Sequence, residues 1–465
     1  MLVQSQWYTS CLSMSVVASA IRGIPRRFIG NNNVTVRSCS TTLPTQFPKY
    51  DPTNLPSVFE NMSTTDIITN GLLYTILANK TVVDVGVSVS KSLIFGRYSP
   101  TPIKFCTKHF LMWTILSNFY SGDYGTDCID SIERLHKRDR ITGIMDNSFP
   151  EDETNEDRFR EYMEENMAEY GRLYKEEDNG GVRFAAVKPT ALLHLGMLER
   201  LTEIIERAED SALESDSIID YDNQLEVSLN SLDKADRMKF NHGVARLEKS
   251  VRCAMVNKIA ILLDAEKSHL QPAVELIARI VSKKYNKKHF SPGLYCTYQM
   301  YMRRTPYALE RDMAIAKKNQ YVFAAKIVRG AYMMSEREAA LDLGDDDPVL
   351  ATREDTSSAY NTAISDILEA ISTLSMENND LINGNTNEIE YEVDGSAILS
   401  NVGVCIPSVM IATHNRISLQ LAVDSMSRLN IPNNSVHVNF AQILGMCDNL
   451  TITLARSGNI PLFIE

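Results

Sequence analysis

No C-x-x-C pair joins the eight cysteines, and no H-x-H or H-E-x-x-H spacing joins the eight histidines. These absences exclude the common zinc sites. Cys11, Cys39, Cys106, Cys128, Cys253, Cys296, Cys405 and Cys447 are scattered, the usage of free thiols in a reducing compartment rather than of a disulfide scaffold. No run of 18 apolar residues occurs, which argues against a spanning helix. Positive charge is also scarce: 47 Lys and Arg stand against 59 Asp and Glu, a net charge of −12, and a nucleic-acid binder would need a basic face. With 21 glycines and 16 prolines in 465 residues, collagen-like and proline-rich chains are excluded. What is present is globular usage, 44% apolar and 23% charged, with length for several domains or one large α/β barrel.

Acidic residues are missing from Met1 to Tyr50, while Arg22, Arg26, Arg27, Arg37 and Lys49 lie in that stretch among many Ser and Thr. The segment SMSVVASAIRGIPRRFIG can put apolar residues on one helical face and arginines on the other. This pattern predicts a mitochondrial transit peptide over residues 1–40. A secretory signal fits poorly, because the basic residues follow the apolar stretch. Residues 41–135 read as a helical arm, with TTDIITNGLLYTILANKTVV and IKFCTKHFLMWTILSNFY both apolar at three- and four-residue spacing.

From about residue 136 to 465, short apolar runs alternate with helical patterns. The runs are RITGIMD, RFAAVKPT, NKIAILLDAE, GLYCTYQ, YVFAAKIVRGAY, VCIPSVMIATHN, SVHVNFAQ and NIPLFIE. Seven are followed by helix-compatible sequence, such as LQPAVELIARIVSKKY. Parallel strands need such crossovers, and eight units predict a closed (β/α)8 barrel of the TIM type. An open doubly wound sheet is disfavoured, since no G-x-G-x-x-G follows the first run. Two polar stretches, about 205–245 and 374–398, read as surface insertions. The eighth run reaches Glu465 without a following helix, so the expected barrel has its eighth helix missing from this chain.

In such barrels chemistry sits at the carboxyl ends of the strands. The polar residues there are Asp146, Lys188 with Thr190, Asp264 with Glu266, Tyr298 with Gln299, Lys326 with Arg329 and Tyr332, His414 with Asn415, and Gln442. No Ser–His–Asp order or metal spacing stands among them. Basic, amide, aromatic and imidazole groups together suit a phosphate-bearing cofactor that performs the chemistry itself. A Schiff-base aldolase, with Lys188 or Lys326 as the amine, is the competing class.

At AAVKPTAL, LLDAEKSHLQPA, TYQMY, AAKIVRGAYMMSERE, DPVLATREDT, ATHN and FAQILGMCD the chain closely resembles the mitochondrial proline dehydrogenase (proline oxidase) family, from roughly residue 140 onward. The resemblance implies a distorted β/α barrel holding FAD, and oxidation of L-proline to 1-pyrroline-5-carboxylate. It implies electrons passed to ubiquinone, with peripheral contact on the matrix side of the inner mitochondrial membrane. By resemblance, Lys326, Val328, Gly330 and Ala331 lie along the FAD. Thr352 and Thr356 contact its adenosine part, Thr413, His414 and Asn415 its phosphate and ribitol region, and Gln442 faces the flavin ring. Tyr332 and Leu444 wall the substrate. Lys188 pairs with the substrate carboxylate or a neighbouring acid, and Asp264 orients that lysine or the flavin edge. Cys296 stands near the flavin where the family usually carries Asn or Gln. The family's last helix, with an R-R-x-x-E-N motif whose arginines clamp the proline carboxylate, is not in the sequence. An alternative expectation is therefore a truncated isoform or incomplete gene product that binds FAD with weak or no turnover.

Overall fold

The computed structural model describes residues 125–146, 155–173, 182–214, 229–287, 291–384, 404–459 and 461–464, with short stretches between 50 and 107. The expected transit peptide, residues 1–40, lies outside the described residues.

Each of the eight apolar runs forms a strand: β1 Thr142–Asp146, β2 Phe184–Val187, β3 Ala260–Leu263, β4 Leu294–Gln299, β5 Ala324–Val328, β6 Ser408–Ala412, β7 Val438–Ile443 and β8 Pro461–Ile464. Neighbours in sequence are neighbours in space, all pairs are parallel, and β8 pairs with β1 to close the barrel. Helices α1 Lys80–Phe95 and α2 Gly125–Asp139 precede it. The crossovers are α3 Glu156–Leu173, α4 Leu195–Glu214 with α5 Lys234–Val256, α6 Gln271–Tyr285, α7 Thr305–Lys318, α8 Met333–Leu343 with α9 Arg353–Gly384, α10 Arg416–Arg428 and α11 Asp448–Arg456. Among the described residues no helix is long and apolar enough to cross a membrane.

The stretch 205–245, which reads from sequence as an insertion, is largely helix where it is described: it holds the end of α4 and the start of α5, with Phe240 buried. Likewise α9 runs on through Gly384 into the second such stretch.

Strand alternation divides the apolar residues into two layers. Ile144, Phe184, Ala186, Leu262, Tyr295, Ala324, Met410 and Ala441 form one cluster inside the barrel, with the Phe184 and Tyr295 rings edge to face at 5.5 Å. A much larger cluster fills the shell between strands and helices. Four turns after helices, at Arg140, Lys258, Gln320 and Asn430, use a left-handed residue other than glycine, each within two residues of the end of α2, α5, α7 or α10. The barrel interior is thus packed.

Candidate functional site

At the mouth, Lys326 on β5 reaches Asp264, the residue after β3, at 2.8 Å from Nζ to Oδ1. The lysine side chain is only 8% exposed and the carboxylate 23%, so this pair is poorly screened by solvent. Lys326 and Thr297 of β4 are register partners. The Thr297 hydroxyl is buried there without a hydrogen-bond partner.

Gln299, at the end of β4, ties three elements together. Its amide donates to the Glu266 carbonyl at 2.8 Å, and its carboxamide oxygen accepts the Ala331 N–H at 3.1 Å. The Glu266 N–H donates to Gln271 Oε1, and the Glu266 carboxylate accepts from the Thr190 hydroxyl at 3.0 Å. The loops after β2, β3, β4 and β5 are therefore hydrogen-bonded into one rim. Gly330 completes it. Its φ is +139°, and a Cβ there would lie 1.5 Å from the Tyr301 ring, so only glycine lets the β5 backbone press against that ring.

Beyond β5, Arg329 donates to the Thr413 hydroxyl at 2.9 Å and to the Ser418 hydroxyl at 2.8 Å, and its guanidinium lies 4.3 Å from the Tyr360 ring centroid. This brings the end of β6 and the amino-terminal turns of α9 and α10 around one cation. Asn415 caps α10 by accepting the Ser418 N–H at 3.0 Å. Thr352 caps α9: its hydroxyl accepts the Asp355 N–H and donates to the Asp355 carboxylate, a reciprocal capping arrangement. The Thr356 hydroxyl turns back to the Thr352 carbonyl. Val328 ends β5, and its carbonyl accepts the Met300 N–H.

His414 Nε2 accepts the Ile443 N–H at 2.9 Å, which places the ring proton on Nδ1. Burial pulls its pKa from 6.5 down to about 4, against a smaller opposing effect of that hydrogen bond. A depressed imidazole favours folding in its neutral form. Its contribution is fully present above pH 6.5 and is lost as the pH falls towards 4. Between pH 7 and pH 5 the wild type is expected to lose about 2 kcal/mol more urea stability than His414→Gln, which keeps an acceptor but cannot titrate. Asp448, raised to about 6 by burial, titrates in the opposite direction in both proteins and cancels in the comparison. Equal pH slopes for the two proteins count against the assignment.

Gln442 donates to the Thr413 carbonyl at 3.2 Å. It is 1% exposed, and its carboxamide oxygen has no partner. A buried acceptor left empty is costly and points to a donor that belongs there.

Two sequence expectations change, those for Cys296 and Leu444. Cys296 packs in the shell outside the barrel, not in the interior cluster. Tyr295 and Thr297 alternate inward, so the thiol between them turns outward, where burial raises its pKa and the charges of Glu275, Asp312 and Arg279 surround it. Asp264 accepts from Lys326. Lys188 precedes the short 3-10 turn Pro189–Ala191 and is half-buried. Leu444, expected to wall a substrate, packs with Ile141 and Ile452 beside α2 and α11. Tyr332 stands at the amino end of α8, its carbonyl accepting the Glu336 N–H. Sequence reasoning gave no role to Gln271, Ser418, Tyr360, Ser268 or Glu336. Ser268 and Gln271 lie in the segment LLDAEKSHLQPA and Glu336 in AAKIVRGAYMMSERE, whereas Ser418 and Tyr360 lie in none of the quoted segments.

The family model for proline dehydrogenase matches residues 128–464. Proline dehydrogenase 1, mitochondrial, of Drosophila melanogaster is 32% identical over 219 residues, 47% of this chain and 28% of that protein. The hydroxyproline dehydrogenase of Xenopus laevis is 27% identical over 52% of this chain and 45% of that protein. The matched segments span less than half of either relative. In structure, proline utilization A (PutA) from Bdellovibrio bacteriovorus, crystallised after inactivation by N-propargylglycine, superposes with a TM-score of 0.57 at 14% identity, covering 88% of this chain and 37% of that one.

Proposed function

This chain belongs to the proline dehydrogenase family, and from that premise we propose that it oxidises L-proline at the barrel mouth with FAD as cofactor, delivering the electrons to ubiquinone in the mitochondrion. The observations that support the reading are the empty acceptor of Gln442 on β7 and, separately, the buried Lys326–Asp264 pair. An isoalloxazine rim offers an N–H that such an acceptor fits. Arg329 and the amino-terminal turns of α9 and α10 offer positive charge for a pyrophosphate. Gln299, Thr413, His414, Asn415 and Gln442 are the residues that would hold the flavin, and Thr352 and Thr356 the adenosine end.

FAD supplies the hydride acceptor when bound. The protein's part is to hold and to shield. The substrate loses a hydride from the ring carbon beside nitrogen and a proton from nitrogen, leaving a C=N bond. That requires the carbon to be fixed in contact with the acceptor and water to be kept out. Lys188 takes the substrate carboxylate, Tyr332 covers the ring, and the Asp264–Lys326 pair fixes the charge beneath it. A Schiff base at Lys326 would have to give up this ion pair, which favours the oxidative reading over the aldolase one.

The test is to reconstitute the purified chain with FAD and follow proline-dependent reduction of a dye, with 4-hydroxyproline as a second substrate. A yellow protein that reduces dye with proline and is inactivated in time by N-propargylglycine is the expected result. A protein that stays colourless overturns the reading. One that is yellow but inert with both amines overturns the activity and leaves the flavin.

A further inference from the structure

We infer that Glu336 is a positioning residue: a buried strut that fixes Tyr332 against the Asp264 loop and so sets the width of the substrate pocket. Its importance for substrate rests on the proposed proline oxidation. The strut itself rests on geometry. Glu336 is 4% exposed and sits in the first turn of α8. One carboxylate oxygen accepts the Ser268 N–H at 2.7 Å and the other accepts the Ser268 hydroxyl at 2.6 Å. Ser268 lies four residues after Asp264 and two after Glu266, in the loop from β3 to α6.

At its other end the strut is joined to Tyr332 through the backbone, because the Glu336 N–H donates to the Tyr332 carbonyl at 2.9 Å. Two charge-assisted bonds from one carboxylate to one residue fix direction as well as distance. Other attachments of the α8 start lie on another side: Met333 packs with Tyr301, Met302 and Val349, Gly330 rests on the Tyr301 ring, and Arg337 bonds Asp347 and the Leu350 carbonyl. The Glu336–Ser268 contact ties α8 to the β3 loop.

The substitutions separate positioning from bulk stability. Glu336→Leu keeps the volume but removes both acceptors. Glu336→Gln restores both bonds, since its oxygen can accept the N–H while its amide donates to the hydroxyl. In the full-length FAD-loaded protein, Glu336→Leu is expected to raise KM for proline about tenfold with kcat within about threefold, and Glu336→Gln to return KM to within about threefold of wild type. Ser268→Ala, which keeps the backbone bond in a half-buried loop, is expected to raise KM about threefold and covers the case in which the leucine variant does not fold. An unchanged KM in Glu336→Leu and Ser268→Ala, or a glutamine variant as impaired as the leucine one, overturns the inference. If wild type is inert with proline, the functional reading fails separately. The strut is then read by hydrogen exchange: the Ser268 amide is expected to exchange about tenfold faster in Glu336→Leu, with β4 amides unchanged, and equal Ser268 rates overturn it.

Discussion

Replacing Lys326 with methionine is expected to lower proline-dependent dye reduction by about a hundredfold to a thousandfold in kcat/KM, the range for truncating one partner of a buried, hydrogen-bonded charge pair. Methionine fits the lysine stem, so the β5 register and the interior layer are preserved. What disappears is the ammonium group 2.8 Å from Asp264. The carboxylate is then left at the mouth with its ion-pair partner gone. Because it is 23% exposed, water compensates part of the cost to folding, and thermal stability should fall less than activity.

The partner substitution makes the test specific. Asp264→Asn alone is also expected to impair turnover, but adding it to Lys326→Met should cost much less than the sum of the two, because both act through one contact. Flavin absorbance, recorded alongside, separates lost cofactor from lost chemistry. Activity of Lys326→Met within about threefold of wild type would remove the pair from the proposed site. Borohydride with a carbonyl substrate checks the amine chemistry: trapping on Lys326 in the wild type would return the aldolase reading.

The strands were legible because parallel strands buried on both faces leave continuous apolar runs, and each of the eight runs holds its strand, β7 alone ending one residue beyond its run. The same feature hid the facing of the side chains. All six residues of β4, LYCTYQ, are buried, so no polar alternation marks which ones turn inward, and Cys296 reads equally well on either side. Polar residues at the strand ends were legible from the rule that strand ends converge, but not their facing: Tyr298 turns to Asp312 on the outer face of β4. Nor were their partners. Asp264 lies beside Lys188 by strand order, since β2 and β3 are adjacent, yet it pairs with Lys326 two strands away. Inward side chains of alternate strands share a layer in such barrels, so β3 and β5 meet across the interior. Glu336 and Ser268, 68 residues apart, carry no common pattern in the sequence at all.

The largest stability loss is expected away from the mouth, at Arg311. Its side chain is 2% exposed and bonds three carboxylates: Asp312 at 2.8 Å, Glu209 at 2.9 Å and Glu275 at 3.0 Å. Arg279 holds Asp312 at 2.8 Å, Arg304 holds Glu275 at 2.9 Å, and the Tyr298 hydroxyl donates to Asp312 at 2.8 Å. Three arginines thus balance three acids where α4, α6 and α7 meet the outer face of β4. Arg311→Met leaves one buried negative charge in excess. The expected cost is about 3–5 kcal/mol, seen as a fall of roughly 10 °C in Tm. Arg207→Ala, which breaks a pair with both side chains more than half exposed, is expected to move Tm little. The acid limb gives a second reading. Burial pushes the Asp312 carboxyl up, but Arg279, Arg311 and the hydrogen bonds outweigh it and hold the group below its ordinary 3.8. Its stabilisation is therefore present above that value and is lost as the pH falls below it. Removing Arg311 weakens the pull, so the variant should begin to unfold at a higher pH than wild type. Equal acid midpoints, or a loss no larger than that of Arg207→Ala, would mean that the remaining arginines and Tyr298 suffice for both acids, and that the cluster does not hold α7 to the barrel as its geometry requires.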